Sequence, residues 1–158
     1  MSKRRHTLLW VLFILYALLM LYLLLGQRQA RRGFPGYGGT LRADLNLVPF
    51  HTIRQYIVFW ARGIREGKPA DIRIAAVNLL GNVVMFVPLG IFLPALWKRL
   101  RVFPRFLLCT AALVAAVEIT QLFTLLGSCD IDDLILNLFG ACAGFGIFRA
   151  VRACAKKR

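Results

Sequence analysis

Four stretches of the chain are apolar for long enough to cross a bilayer, whose hydrocarbon core takes ~20 mostly apolar residues per helix. They run from Leu8 to Leu25, from about Ile74 to Trp97, from about Phe106 to Leu126 and from about Ile131 to Val151. The first run holds no charge, and Lys3, Arg4 and Arg5 precede it, as in a signal peptide. It is longer than the ~7–15 residues of a signal h-region, and only Gly26-Gln27-Arg28 follows it, so it reads as a retained span. Pro88 and Pro94 fall inside the second run, where a membrane helix tolerates a kink. The pattern predicts an all-α integral membrane bundle of about four transmembrane helices, one domain over residues 1–158.

The pattern changes between the first two runs. Arg31 to Thr40 reads RRGFPGYGGT, a flexible stretch punctuated by Gly and Pro. From His51 to Glu66, Ile53, Ile57, Trp60 and Ile64 recur at offsets of 0, 4, 7 and 11, which is one helical face, while Arg54, Arg62 and Arg65 fall away from it. This predicts a short amphipathic helix in the first outer loop. Lying on the membrane surface and packing on the top of the bundle are both open to it.

Composition agrees with the spans. The chain is 59% hydrophobic and 18% charged, with a mean hydropathy of +0.65, against ~45–50% apolar in a soluble domain. That excludes a disordered chain and argues against a soluble globule. A net charge of +14 would suggest nucleic acid in a soluble protein. In a membrane protein it reports anchoring at the cytoplasmic face, so no nucleic-acid partner is expected. Three Lys or Arg precede span 1, nine lie between spans 1 and 2, four between spans 2 and 3, none between spans 3 and 4, and five at the C-terminal end. With both termini in the cytoplasm the inside receives twelve, and the outside nine are spread over 47 residues. The positive-inside rule therefore places both termini in the cytoplasm.

That orientation sets polar side chains at comparable depths. At ~1.5 Å per residue, Asn78 lies roughly 6 Å below the outer boundary, Asn82 and Glu118 roughly 12 Å, Gln121 roughly 8 Å and Asn137 roughly 9 Å, with Asp133 at the boundary. All six fall in the outer half, where polar groups in a bilayer usually face a bundle interior or a wet cavity. Gly140 and Gly144 share a stripe with Asp133 and Asn137 and would let another helix approach closely, within the chain or in an oligomer. Plainer roles stay open. Asp130 and its neighbours can cap a helix start, and the amides can join helices by hydrogen bonds. Asp130, Asp132 and Asp133 could also hold a divalent cation through carboxylate oxygens, a weak signal when alone.

With these residues in view, the chain resembles the VanZ-like family of small bacterial membrane proteins. The matching stretches are Asn46-Leu-Val-Pro-Phe50 with Thr52-Ile53, Asn78-Leu-Leu-Gly-Asn82 through Phe86-Val-Pro-Leu-Gly90, Glu118-Ile-Thr-Gln-Leu-Phe123, and Asp130-Ile-Asp-Asp-Leu-Ile-Leu-Asn137 with Gly140. They cover residues 46–148 in the family's order and spacing. The resemblance implies a multi-span helical fold in the bacterial cytoplasmic membrane. The family is named for a protein linked to low-level resistance to the glycopeptide teicoplanin, and a mechanism does not come with the resemblance.

The rest of the inventory offers little chemistry. Cys109, Cys129, Cys142 and Cys154 make no C-x-x-C pair, His6 and His51 are the only histidines, and Ser2 and Ser128 the only serines. No Ser-His-Asp triad and no Walker-type loop can be assembled, and no cofactor is indicated. The first expectation is a non-enzymatic envelope protein that binds a lipid headgroup or a lipoglycopeptide in an outward-facing polar pocket. Its candidate contacts are Asn46, Pro49, Phe50, Asn78, Asn82, Glu118, Gln121, Asp132, Asp133 and Asn137. The alternatives are a metal-dependent enzyme acting on a lipid-linked phosphate or sugar, with Glu118 as general base, and a small oligomeric transporter or scramblase.

Overall fold

The computed structural model describes residues 3–26, 45–124 and 129–157. Five α-helices fill most of them: α1 Lys3–Leu21, α2 His51–Arg65, α3 Pro69–Leu96, α4 Phe103–Thr124 and α5 Ile131–Lys157. A π-helical turn, Tyr22–Gly26, extends α1, and a 3₁₀ turn, Lys98–Arg101, joins α3 to α4. All but α2 are long and apolar enough to cross a membrane. The chain is a membrane helical bundle, as its apolar runs predict. The Arg31–Thr40 stretch and the last residues expected of span 3, 125 and 126, lie outside the described residues.

The helices outrun the apolar runs at their ends. The second starts at Pro69, five positions before Ile74. Proline suits a first helical turn because its missing N–H would be unpaired there anyway. Inside the same helix, Pro94 lies in the last turn, where carbonyls have no helical partner. The Nε of Arg101 donates to the Pro94 carbonyl at 3.0 Å, closing that end from the following turn.

The bundle is built on a seam between α3 and α5 from which side chains are excluded. A Cβ at Gly140 would fall on the carbonyl oxygen of Val83, one at Gly144 on that of Val87, and one at Gly90 on that of Ala141. The pairs Val83–Gly140 and Val87–Gly144 advance together, so the two helices run parallel. In lipid no hydrophobic force joins apolar helices, and such close backbone approach supplies dispersion contact instead.

Aromatic packing adds the other two spans. Trp10 and Phe13 of α1 meet Trp97 with ring centroids 5.0 and 5.5 Å apart, and Phe13 and Tyr16 meet Phe92 at 5.8 and 5.7 Å. The Tyr16 hydroxyl donates to the Met85 carbonyl at 2.8 Å, which satisfies its polar tip inside the bundle. From α4, Phe106 stacks on Phe145 of α5 at 4.5 Å. The core comprises Met20, Leu24, Phe86, Leu93, Phe106, Val114, Ala141 and Phe145. Leucines 8, 15, 18 and 19 of α1, with Val84, Leu108 and Phe139, are exposed where lipid would cover them.

Helix α2 leans back on the start of α3. Gly63 is buried there, and a Cβ on it would come within 3.0 Å of the Asp71 and Ile72 side chains. The turn between the helices carries a Lys68–Glu66 ion pair at 2.8 Å, which holds the Glu66 carboxyl below, and the Lys68 ammonium above, its ordinary range. The helix packs on the bundle with part of its apolar face. Ile53, Tyr56, Trp60 and Gly63 turn toward the bundle, whereas Ile57 and Ile64 of the same apolar face stay 55% and 64% exposed. One element is not helical: Leu45–Asn46 and Cys129–Asp130 pair as parallel two-residue strands, β1 and β2.

Candidate functional site

The site is assembled where β1 and β2 meet, at the end of the bundle that carries α2. Register pairs Asn46 with Asp130, and this brings two distant stretches side by side. The Asp130 carboxylate then works in two directions. Its Oδ1 accepts the backbone N–H of Asp132 at 2.9 Å, which caps α5 at its second helical position. Its Oδ2 accepts the Thr52 hydroxyl at 2.6 Å and the Asn46 amide at 3.3 Å. Asn46 Nδ2 also reaches the Thr52 hydroxyl at 2.9 Å, and Asn46 Oδ1 accepts the Val48 N–H at 3.2 Å. Asp130 thus does cap its helix, and in addition anchors the segment that leads into α2.

Asp132, two residues on, also holds the entry to α2. Phe50, immediately before α2, adopts a left-handed backbone with φ of 63°, and its side chain gives the helix no cap. The Asp132 carboxylate takes that role, accepting the Phe50 N–H at 2.5 Å and the Ile53 N–H at 3.0 Å. A carboxylate suits this place, because the first N–H groups of a helix lack partners and carry its positive dipole end. Asp132 is fully buried. It faces α2, which covers it.

Asp133 points to α3 and accepts the Asn82 amide at 2.5 Å. The three aspartates therefore diverge: one to Thr52, one to the start of α2, one to Asn82. Among the described residues no group of three or more His, Cys, Asp or Glu is arranged to hold a metal ion. The three carboxylates of the weak metal set, Asp130, Asp132 and Asp133, each bond within the chain instead.

The remaining candidates divide. Gln121 is 1% exposed and donates to the Leu24 carbonyl at 2.7 Å, tying α4 to the end of α1. Asn78 turns back on its own helix and donates to the Ile74 carbonyl at 2.8 Å. Pro49 and Phe50 are exposed at the entry to α2. Glu118 is 5% exposed, and its Oε2 accepts the Asp130 N–H at 3.4 Å. Asn137 is 2% exposed, and its Oδ1 has no hydrogen-bond partner among the described residues. Burial, with the Glu118 and Asp130 carboxylates close by, pushes the Cys129 thiol above its ordinary range.

Two participants escaped the sequence reading of single residues. Thr52 holds Asp130, and the backbone N–H of Ile53 holds Asp132. Their signal was present in the Thr52-Ile53 pair beside Asn46-Leu-Val-Pro-Phe50, a conjunction that has no meaning until the two strands are paired.

No curated protein and no solved structure gives a significant match to the chain. A family model does. The one described as VanZ/LLP1 matches residues 13–152, which takes in both strands, all the polar side chains of this site and the glycine seam beneath it. The chain therefore belongs to the VanZ/LLP1 family of proteins.

Proposed function

We propose that this chain, in the bacterial cytoplasmic membrane with both termini inward, binds the polar part of an amphiphilic envelope molecule at the α2 end of its bundle. The ligand is a lipid headgroup or a lipoglycopeptide of the teicoplanin kind, and its capture confers glycopeptide resistance. The observation that carries this reading is the buried Oδ1 of Asn137, an acceptor with no donor among the described residues. A buried polar atom left in that state costs ~1–3 kcal/mol. A hydroxyl, amine or amide N–H of a ligand would remove the cost, and the family resemblance supports an envelope ligand.

The hydrogen bonds sort the candidates into two roles. Asn46, Asp130 and Asp132 hold the entry to α2, and Asn82 with Asp133 holds α3 to α5. Asn137 is then the side chain that offers the ligand an open acceptor, and Glu118, already bonded to the Asp130 N–H, adds a buried carboxylate. Leu47, Val48, Phe50, Ile57 and Ile64 are exposed at this end and give an acyl tail an apolar rim.

The test compares Asn137→Leu and Glu118→Gln with the parent in teicoplanin susceptibility of an expressing strain and in direct teicoplanin binding to purified protein. Asn137→Leu keeps the number and branching of the side-chain heavy atoms and removes the unpaired oxygen, so its melting temperature should hold or rise. Loss of both readouts at matched membrane levels supports the site. Undiminished binding and resistance in both variants would refute it.

A further inference from the structure

The opposite end of the bundle holds a second polar feature. A cavity of about 520 Å³ opens between the turn into α4 and the end of α5, lined by Arg101, Val102, Phe103, Phe148, Arg149 and Arg152 among others. Three guanidinium groups share its wall with two aromatic rings and a valine. No acid can balance them locally, because residues 98–117 and 134–158 contain no Asp or Glu. Arg101 is held from behind by its Nε bond to the Pro94 carbonyl, and its guanidinium carbon lies 5.9 Å from the centre of the Phe148 ring. The anchored Nε leaves the fork's terminal nitrogens directed to other acceptors.

Depth decides what such a cleft meets. A span that begins at Ile131 has crossed ~30 Å by about residue 150 at ~1.5 Å per residue. Arg149 and Arg152 therefore emerge in the headgroup layer, while Val102 and Phe103, both exposed, stand at the edge of the apolar zone. A planar guanidinium fork matches phosphate oxygens, and paired basic side chains between membrane helices suit anionic headgroups. We infer that this cleft binds the phosphate of an anionic phospholipid, with Arg101, Arg149 and Arg152 on the phosphate and Val102, Phe103 and Phe148 against the start of its acyl chains. The inference is independent of the ligand proposed for the α2 end.

The experiment is native mass spectrometry of the full chain, released from detergent with phosphatidylglycerol or phosphatidylcholine added. The parent should retain phosphatidylglycerol at least roughly tenfold better than phosphatidylcholine, a reasonable return for three basic groups at a headgroup. Arg149→Gln with Arg152→Gln alters only exposed side chains, so the protein should fold, and this selectivity should collapse toward unity. Arg62→Gln with Arg65→Gln removes the same charge from α2 and should leave it unchanged. Equal loss in both double variants would mean bulk charge attraction and would overturn the site, as would unchanged selectivity in the Arg149/Arg152 variant. Displacement of the lipid by millimolar glycerol phosphate would assign the cleft to soluble phosphate esters and overturn the lipid assignment.

Discussion

The carboxylate of Asp132 caps a helix that starts 81 positions earlier, accepting the N–H of Phe50, the residue before it, at 2.5 Å. Phe50 is in a left-handed conformation and supplies no side-chain cap, so without Asp132 the start of α2 would present unpaired donors. The second bond, from Ile53, makes the cap bidentate. Asp132→Ala should destabilise the protein by about 2–3 kcal/mol, the value of losing hydrogen bonds to a buried charge. Hydrogen exchange should quicken in the first turn of α2 and remain slow in α3. Uniformly faster exchange would show that Asp132 supports the whole bundle instead.

The Thr52–Asp130 bond should be separable from the capping of α5, because the two use different oxygens of one carboxylate. Thr52→Val removes the first, together with the Asn46–Thr52 bond, and leaves the cap. Asp130→Asn can keep an oxygen toward the Asp132 N–H while placing an amide toward Thr52 and Asn46. Each variant should cost about 1 kcal/mol, and the double variant clearly less than their sum, since contacting partners are not additive. Strict additivity in thermal unfolding would mean that the two groups are not coupled.

Gly144→Ala should be among the most damaging small substitutions in the chain. Its new Cβ would strike the Val87 carbonyl oxygen, so α3 and α5 must separate. Gly146, two residues on, has open space around it. Gly146→Ala should be neutral or stabilising by up to ~1 kcal/mol, from helix propensity alone. Size-exclusion profiles and melting temperatures of the pair provide the measurement, and equal behaviour would contradict the seam.

Cys129 should alkylate slowly at neutral pH, with a rate profile displaced to higher pH. Burial and the adjacent carboxylates disfavour its thiolate, and only the thiolate reacts. Glu118→Gln removes one of those charges, so the pKa should fall and the rate at a fixed pH should rise. An unchanged rate would place the Glu118 charge elsewhere.

With both termini inward, a membrane-impermeant maleimide added to intact cells should label Arg62→Cys on α2 and miss Cys154 until the membrane is permeabilised. The opposite pattern would invert the chain and refute the inward placement of its termini.

The spans and α2 were legible because each rests on a local pattern: a continuous apolar run, or apolar positions recurring on one helical face. The close approach at Gly140 and Gly144 was legible for the same reason. The β1–β2 bridge was not, since two residues carry no periodicity and the partners lie on either side of α2, α3 and α4. The burial of Asp132 was not legible either. A helical wheel gives the direction, but only the fold supplies the helix that covers it. Asn78 and Gln121 looked alike as intramembrane amides, yet one bonds its own helix and the other the end of α1. Nothing local distinguishes them.

The α3–α5 seam has a mechanical consequence. Two parallel helices whose carbonyls rest in glycine notches cannot slide along one another without first lifting away, and the Asn82–Asp133 bond fixes their register at one end. Helix α1 meets α3 largely through aromatic rings, and α4 meets α5 the same way, contacts that can shear by small side-chain turns. The α3–α5 pair is then the stator of the molecule. A ligand of the proposed kind would then be admitted by movement of α1 and α4, while α2, anchored to both members of the pair, would stay with the pair.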